Sequence, residues 1–244
     1  DPRDLHSFPT RRSSDLGLRS FNRAMPEEIN RIATDHLSDY LFAPTQNAMN
    51  LLAAEGLASK SYLTGDVMCD SVLFYSELAK KQPFTKPFSK YFLATLHRQE
   101  NTDDPERLQA IFTAFSRLEL PVVLPLHPRT KKMLGQNVNL KNVTIIEPVG
   151  YLQMLNLVSS SYKVLTDSGG LQKEAFIMKK PCITLRDETE LVETLENGWN
   201  HVAGTNIDLI VEQSAKPVPV LQSSPFGDGK AGEIIINFIR QFIK

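Results

Sequence analysis

KVLTDSGGLQKEAFIM, residues 163–178, joins an apolar run to an amphipathic stretch through Ser168, Gly169 and Gly170, with no spacer between them. In KVLTD the valine and leucine stand side by side instead of alternating with polar residues, which reads as a strand covered on both faces; the following stretch has helical spacing. A buried strand that runs straight into a helix is the repeating corner of a parallel α/β sheet. At such a corner glycines let the backbone approach a ligand closely, and the amides of the first helical turn favour an anion. Ser168 is placed to cap the helix or to donate to a phosphate. Glu174, four residues beyond Gly170, suits ribose hydroxyls better than phosphate, because like charges repel. Alone, a double-glycine corner is equally a tight structural turn.

The same rhythm extends on both sides. YFLATLH (91–97), PVVLPLH (121–127), VTIIEP (143–148) and PCITLR (181–186) are further strand candidates, and DPERLQAIFTAFSRL, PRTKKML and YLQMLNLVSSS are helices between them. The strands are apolar on both faces, so the pattern predicts a doubly wound α/β domain with a parallel sheet buried between helices. Ligands in such sheets lie beyond the carboxyl ends of the strands. There the sequence places His97, His127, Glu147, Asp167 with the Ser-Gly-Gly turn, and Arg186 in succession. One polar residue after a strand is a loop residue, whereas five in a row, two of them histidines, point to a site.

Upstream the chain is less regular. Residues 1–16 have no periodicity, and SFPTRRSSDL within them resembles translated sequencing-adaptor sequence; they are expected to be a non-native or disordered segment outside the fold. PEEINRIATDHLSDYLF (26–42) opens with proline and two acids and places Ile29, Ile32, His36, Leu37 and Tyr40 along one face, which predicts a helix. TQNAMNLLAAEGL (45–57) is a second helix ending at Gly56. KQPFTKPFSK (81–90) reads as an interdomain linker, so 17–80 and 91–225 are the expected domains. A final helix, EIIINFIRQFIK, closes the sequence. In GLRSFNRAMPEEINR, Glu27 and Arg31 lie four apart on one helical face. The segment is either a solvated helix start whose acids complement the dipole or a carboxylate tuned by arginines for proton transfer.

Composition narrows the function. The 244 residues carry a formal net charge of -1 with 41% hydrophobic and 23% charged residues, which points away from nucleic acid or an anionic membrane as partner. No apolar run reaches the length of a bilayer span and the N-terminus has no signal core, so a cytoplasmic location is expected. Cys69 and Cys182 have neither metal-knuckle nor redox spacing and read as buried thiols.

Taken in order, GLRSFNRAMPEEINRIATDHLSDYLFAPT (17–45), TLHRQEN (95–101), LHPRT (126–130), EPVGYLQMLNL (147–157), TDSGGLQKEA (166–175) and RDETELVETLENGWN (186–200) resemble the non-hydrolysing UDP-N-acetylglucosamine 2-epimerases. The resemblance runs from Gly17 nearly to the C-terminus. It implies two Rossmann-like domains in the glycosyltransferase-B-like arrangement, with residues 226–244 forming a helix that crosses back to the first. It further implies that Ser168, Gly169 and Gly170 form the diphosphate turn, with Arg186 nearby, and that Glu174 binds ribose. Met154 stands where relatives put an aromatic ring beneath uracil. The resemblance also implies that His97 is a diphosphate or catalytic-site contact, that Glu27 and Arg31 are members of the reaction centre, and that Arg98 and His127 match a regulatory UDP-sugar site. The implied chemistry inverts C2: a base takes the C2 proton while UDP leaves C1, and UDP then adds back to the glycal with a proton delivered to the other face. That route uses no metal and no cofactor, and family members usually form homodimers.

Family members precede GLRS with further first-domain residues and a HVEA string whose glutamate is catalytic. Here SSDL (13–16) stands in that place, with Asp15 in the register of the glutamate. The resemblance therefore implies the C-terminal part of an epimerase, cut within its first domain. Leu191 replaces the arginine that some members carry after the RDxTE string, which keeps open an epimerase of a UDP-diacetamido-glucuronic acid. A UDP-sugar glycosyltransferase, which shares the fold, and a UDP-binding fragment without activity stay open as well.

Overall fold

The computed structural model describes residues 16–23, 26–126 and 140–242. Asp15, His127 and the expected helix over 128–134 therefore lie outside the described residues. The chain divides into two compact units: one runs up to Leu73 and resumes at Ser224, and the other is Phe74–Ser223. The segment 81–90 falls inside the second unit, and the division itself falls within a helix, Val67–Ala79.

In the second unit the described strands form a six-stranded parallel sheet. They are β3 (Phe92–Thr95), β4 (Val122–Pro125), β5 (Val143–Ile146), β6 (Lys163–Thr166), β7 (Cys182–Thr184) and β8 (Asn200–Val202), in the order β5-β4-β3-β6-β7-β8. The central strands alternate their side chains between two apolar layers, as the two-residue period of a strand requires. Phe92, Ala94, Val122, Leu124, Leu165 and Ile183 pack with Ile111, Phe112 and Phe115 of the helix Pro105–Ser116 and with Ile210 of Ile207–Ala215. Leu93, Val123, Val164 and Cys182 pack on the other side with Leu157 and Val158 of Tyr151–Ser160 and with Leu171 and Ala175 of Gly169–Ile177. Burial on both faces is why these strands lack polar alternation. Asp104 caps Pro105–Ser116 by accepting from the Glu106 and Arg107 amides, and proline fits the first helical position. Strand β8 escapes the sequence reading because NHV is short and mixed in polarity; it is recruited by pairing with β7.

The first unit holds a smaller parallel pair, β1 (Leu41–Ala43) and β2 (Ser61–Leu63), connected through the helix Gln46–Ala54. Thr45 caps that helix by accepting from the Ala48 amide. The helix predicted over 26–42 ends at Leu37, because Leu41 and Ala43 are fully buried in β1, where strand pairing overrides the helical spacing. Its expected apolar stripe is not the buried face: Ile29 and Leu37 are exposed, while Glu28 and Asp35 are buried. The helix Ala231–Phe242 belongs to this unit. Its first turn donates from the Ala231 and Gly232 amides to the Asp70 carboxylate at 3.1 and 2.7 Å, and the Phe238 ring lies against Tyr40, Phe42 and Tyr62.

Candidate functional site

The order of the large sheet reverses between β3 and β6: β3 leads outward to β4 and β5, and β6 leads outward to β7 and β8. Such a reversal opens a crevice at the carboxyl ends of the two strands. His97 and Arg98 leave β3 there, and Asp167 to Gly170 leave β6 beside them. Thr95 and Thr166 are register partners whose hydroxyls lie 2.6 Å apart, and the Thr166 hydroxyl also accepts from the Ser168 amide at 2.9 Å.

Asp167 organises the crevice. Its carboxylate, fully buried, accepts from the backbone amides of His97 and Arg98 at 3.1 and 3.0 Å and from the Asn101 side chain at 3.3 Å. Its other oxygen lies 3.1 Å from His97 Nδ1. Burial works against ionisation, but the bonds from the His97 side chain and from the two amides outweigh it and hold this carboxyl below the ordinary range. The His97 side chain is itself more than half exposed, though its Nδ1 is held by Asp167.

The helix Gly169–Ile177 begins at the same place. Ser168 is its N-cap and accepts from the Leu171 amide at 3.3 Å. The amides of Gly169 and Gly170 belong to the turn that lacks intrahelical acceptors. Gly169 also makes room: a Cβ there would stand 3.2 Å from Glu190 Oε1. Glu190 in turn accepts from Arg186 Nη1 at 2.9 Å, and among the described residues the buried Arg186 Nε has no hydrogen-bond partner. The helix start and Arg186 favour an anion here, and the Glu190 carboxylate, paired with Arg186, is the chain's own. The loop that carries Glu190 is tied down by side chains. Gln172 accepts from Thr189 and from Asn200, Asn200 also donates to Thr194, and the Leu191 amide donates to Thr189. Arg107 braces its start through Asp187 and reaches Asn101 as well.

Glu174 lies one turn into the helix and is half-buried. Arg98, also half-buried, precedes the short helix Gln99–Thr102. Met154 is turned onto the apolar layer of Leu157 and Leu171. At the N-terminal end of its helix is an open groove of about 700 Å³, lined by Tyr75, Pro83, Gly150, Tyr151 and Gln153, in which the Tyr75 and Tyr151 rings pack edge to face.

Glu27 and Arg31 belong to the first unit. Glu27 is exposed at the first turn of Pro26–Leu37, and Arg31 pairs at 3.4 Å with Glu28, three residues away. Glu28, which the sequence does not single out, accepts from the Ser20 and Phe21 amides and the Ser20 hydroxyl. Burial opposes its charge, but these bonds and Arg31 outweigh it and lower its pKa. Its signal, an acid at the second helical position, is shared with any dipole-complementing residue, so pattern alone does not separate it from Glu27.

Among the described residues no group of three or more histidine, cysteine or acidic side chains is placed to hold a metal, and no helix is long and apolar enough to cross a membrane. Cys69 and Cys182 are buried free thiols, pushed up by burial to about 11 and about 12.

A parallel sheet with a capped, glycine-opened helix at its switch point defines the Rossmann-like class of nucleotide-binding α/β proteins. Within that class the chain belongs to the UDP-N-acetylglucosamine 2-epimerase family, whose family model matches residues 16–240. It is 44% identical over 240 residues to a UDP-N-acetylglucosamine 2-epimerase homolog of Methanococcus maripaludis, covering 93% of this chain and 67% of that protein. It is 46% identical over 235 residues to the UDP-2,3-diacetamido-2,3-dideoxy-D-glucuronate 2-epimerase of Pseudomonas aeruginosa, covering 92% and 66%. Among solved structures it resembles the Methanocaldococcus jannaschii UDP-GlcNAc 2-epimerase in complex with UDP-GlcNAc and UDP, with a TM-score of 0.83, 42% identity, and 93% and 68% coverage. The chain thus spans about two thirds of the length of these relatives.

Proposed function

We propose that the protein to which this chain belongs interconverts UDP-N-acetylglucosamine and UDP-N-acetylmannosamine, and that the second unit holds the UDP. The carrying observation is the convergence of a pinned imidazole, His97, with the Ser168-Gly169-Gly170 helix start at the sheet's switch point. The amides of Gly169 and Gly170, Ser168 and Arg186 are suited to the diphosphate, and Glu174 to the ribose hydroxyls. The aromatic groove at Tyr151, near Met154, offers walls on which a base can stack. Breaking the C1–O bond puts negative charge on the departing diphosphate, and donors already in place lower that barrier. Glu27 is an accessible carboxylate of the kind that takes or returns the C2 proton, with Arg31 beside it on the helix, and Arg98 and His127 are proposed contacts of a regulatory UDP-sugar.

Incubation in deuterated water tests the reaction. Deuterium entering C2 of the sugar is expected from the full-length parent, and its absence overturns the assignment. A second reading, epimerisation of a UDP-diacetamido-glucuronic acid, is favoured by one observation: Leu191 is buried where some members carry arginine, so a carboxylated or differently acylated sugar meets a different wall. Competition between the two nucleotide-sugars for the C2 exchange separates the readings. We further propose that the parent is a cytoplasmic homodimer serving polysaccharide synthesis; the family assignment supports this.

A further inference from the structure

We propose that Asp167 is the positioning residue of His97: it holds a proton on Nδ1 and so leaves Nε2 as the nitrogen that takes up a proton and donates to the phosphate-bearing ligand. The ligand clause rests on the nucleotide reading above, whereas the tautomer clause does not. Nδ1 lies 3.1 Å from an oxygen of a buried carboxylate. Two lone pairs cannot face each other at that distance, so a proton sits on Nδ1, and in the neutral ring Nε2 keeps its lone pair. Asp167 cannot swing away, because the His97 and Arg98 amides and the Asn101 side chain hold its other oxygen. Among the described residues no hydrogen bond engages Nε2, and the side chain is more than half exposed. The backbone clamp also dictates what an amide would do here. In Asp167→Asn the side-chain oxygen takes the position facing the two backbone donors, so the NH2 faces Nδ1, donates to it and forces the proton onto Nε2.

Long-range proton–nitrogen correlation of the whole chain, labelled in its five histidines and in its glycines and with His97 assigned through His97→Gln, reads the tautomer directly. At about pH 8.5 the neutral imidazole dominates for an ordinary histidine. Expected for the unsubstituted chain are a protonated Nδ1 and an unprotonated Nε2, with the two resonances exchanging identity in Asp167→Asn. UDP is expected to shift the Nε2 resonance while Nδ1 keeps its proton. An unsubstituted His97 that is protonated at Nε2 or averages between forms overturns the proposal without any variant, so poor folding of Asp167→Asn leaves it decidable. Persistence of Nδ1–H in a folded Asp167→Asn also overturns it. UDP shifts at the Gly169 and Gly170 amides without one at Nε2 overturn the ligand clause and leave the nucleotide reading standing; silence at all three positions overturns both.

Discussion

At the scale of single residues, neighbouring acids have opposite surroundings. Glu28 is buried and saturated with donors, while Glu27 next to it is open to solvent. Glu28→Ala is expected to cost on the order of 2–4 kcal/mol, since it orphans two amides that a charged acceptor now satisfies. Glu27→Gln is expected to leave the denaturation midpoint unchanged and, on the proposed mechanism, to abolish deuterium exchange at C2 in the full-length parent. The two substitutions, read by denaturation and by mass spectrometry, therefore separate architecture from chemistry. Because the Glu28 pKa is lowered on folding, its contribution is fully present above the unfolded value of about 4.3 and is lost as pH falls through the folded one. Comparison of the acid branches of stability for the unsubstituted chain and Glu28→Gln between about pH 5 and pH 2 checks the sign.

At the scale of elements, helix starts carry both stability and recognition. Ser168→Ala removes the cap of Gly169–Ile177 and is expected to lower stability by about 1 kcal/mol and to weaken UDP binding, measured by calorimetry. Gly169→Ala tests the same turn without touching the cap. Its new Cβ crowds Glu190, so weaker UDP binding is expected with little change in helix content. Asp70 works in the same way at the other end of the sequence: Asp70→Ala leaves the Ala231 and Gly232 amides without their acceptor, and faster hydrogen exchange is expected at the start of Ala231–Phe242.

At the scale of the whole molecule, Lys163 sets an alkaline response. Its ammonium is buried and donates to the Gln213 and Lys216 carbonyls at 2.6 Å each; burial, and then the charge of Lys216, lowers its pKa to about 8. The neutral amine keeps two N–H groups, enough for both carbonyls, so deprotonation removes a buried charge at no cost in hydrogen bonds. The unfolded chain then binds more protons than the folded one between about pH 8 and the ordinary lysine value of about 10.4, and this contribution to stability rises with pH there. Subtracting the profile of Lys163→Met from that of the unsubstituted chain isolates the rise.

Much of this architecture was legible in the sequence, because strands buried on both faces write themselves as unbroken apolar runs: Phe92–Thr95, Val122–Pro125 and Lys163–Thr166 fall within the runs that mark them. Leu41–Ala43 and Asn200–Val202 were not, since three residues carry no period and their identity comes from the strand beside them. Ser168 and His97 were legible from position at strand ends. The part played by Asp167 was not, for it depends on two loops 70 residues apart meeting across the reversal of strand order.

The first unit is assembled from two distant stretches of chain, clasped where Asp70 meets Ala231, 161 residues later. During synthesis that clasp waits until the intervening second unit has left the ribosome, at chain growth of about 5–20 residues per second. A delay of roughly ten to thirty seconds follows. Through it Tyr40, Phe42 and Tyr62 lack the Phe238 ring that packs on them once its helix has emerged. The nascent chain thus carries an uncovered aromatic surface through that delay, and its soluble yield in cells is expected to rise with added chaperone.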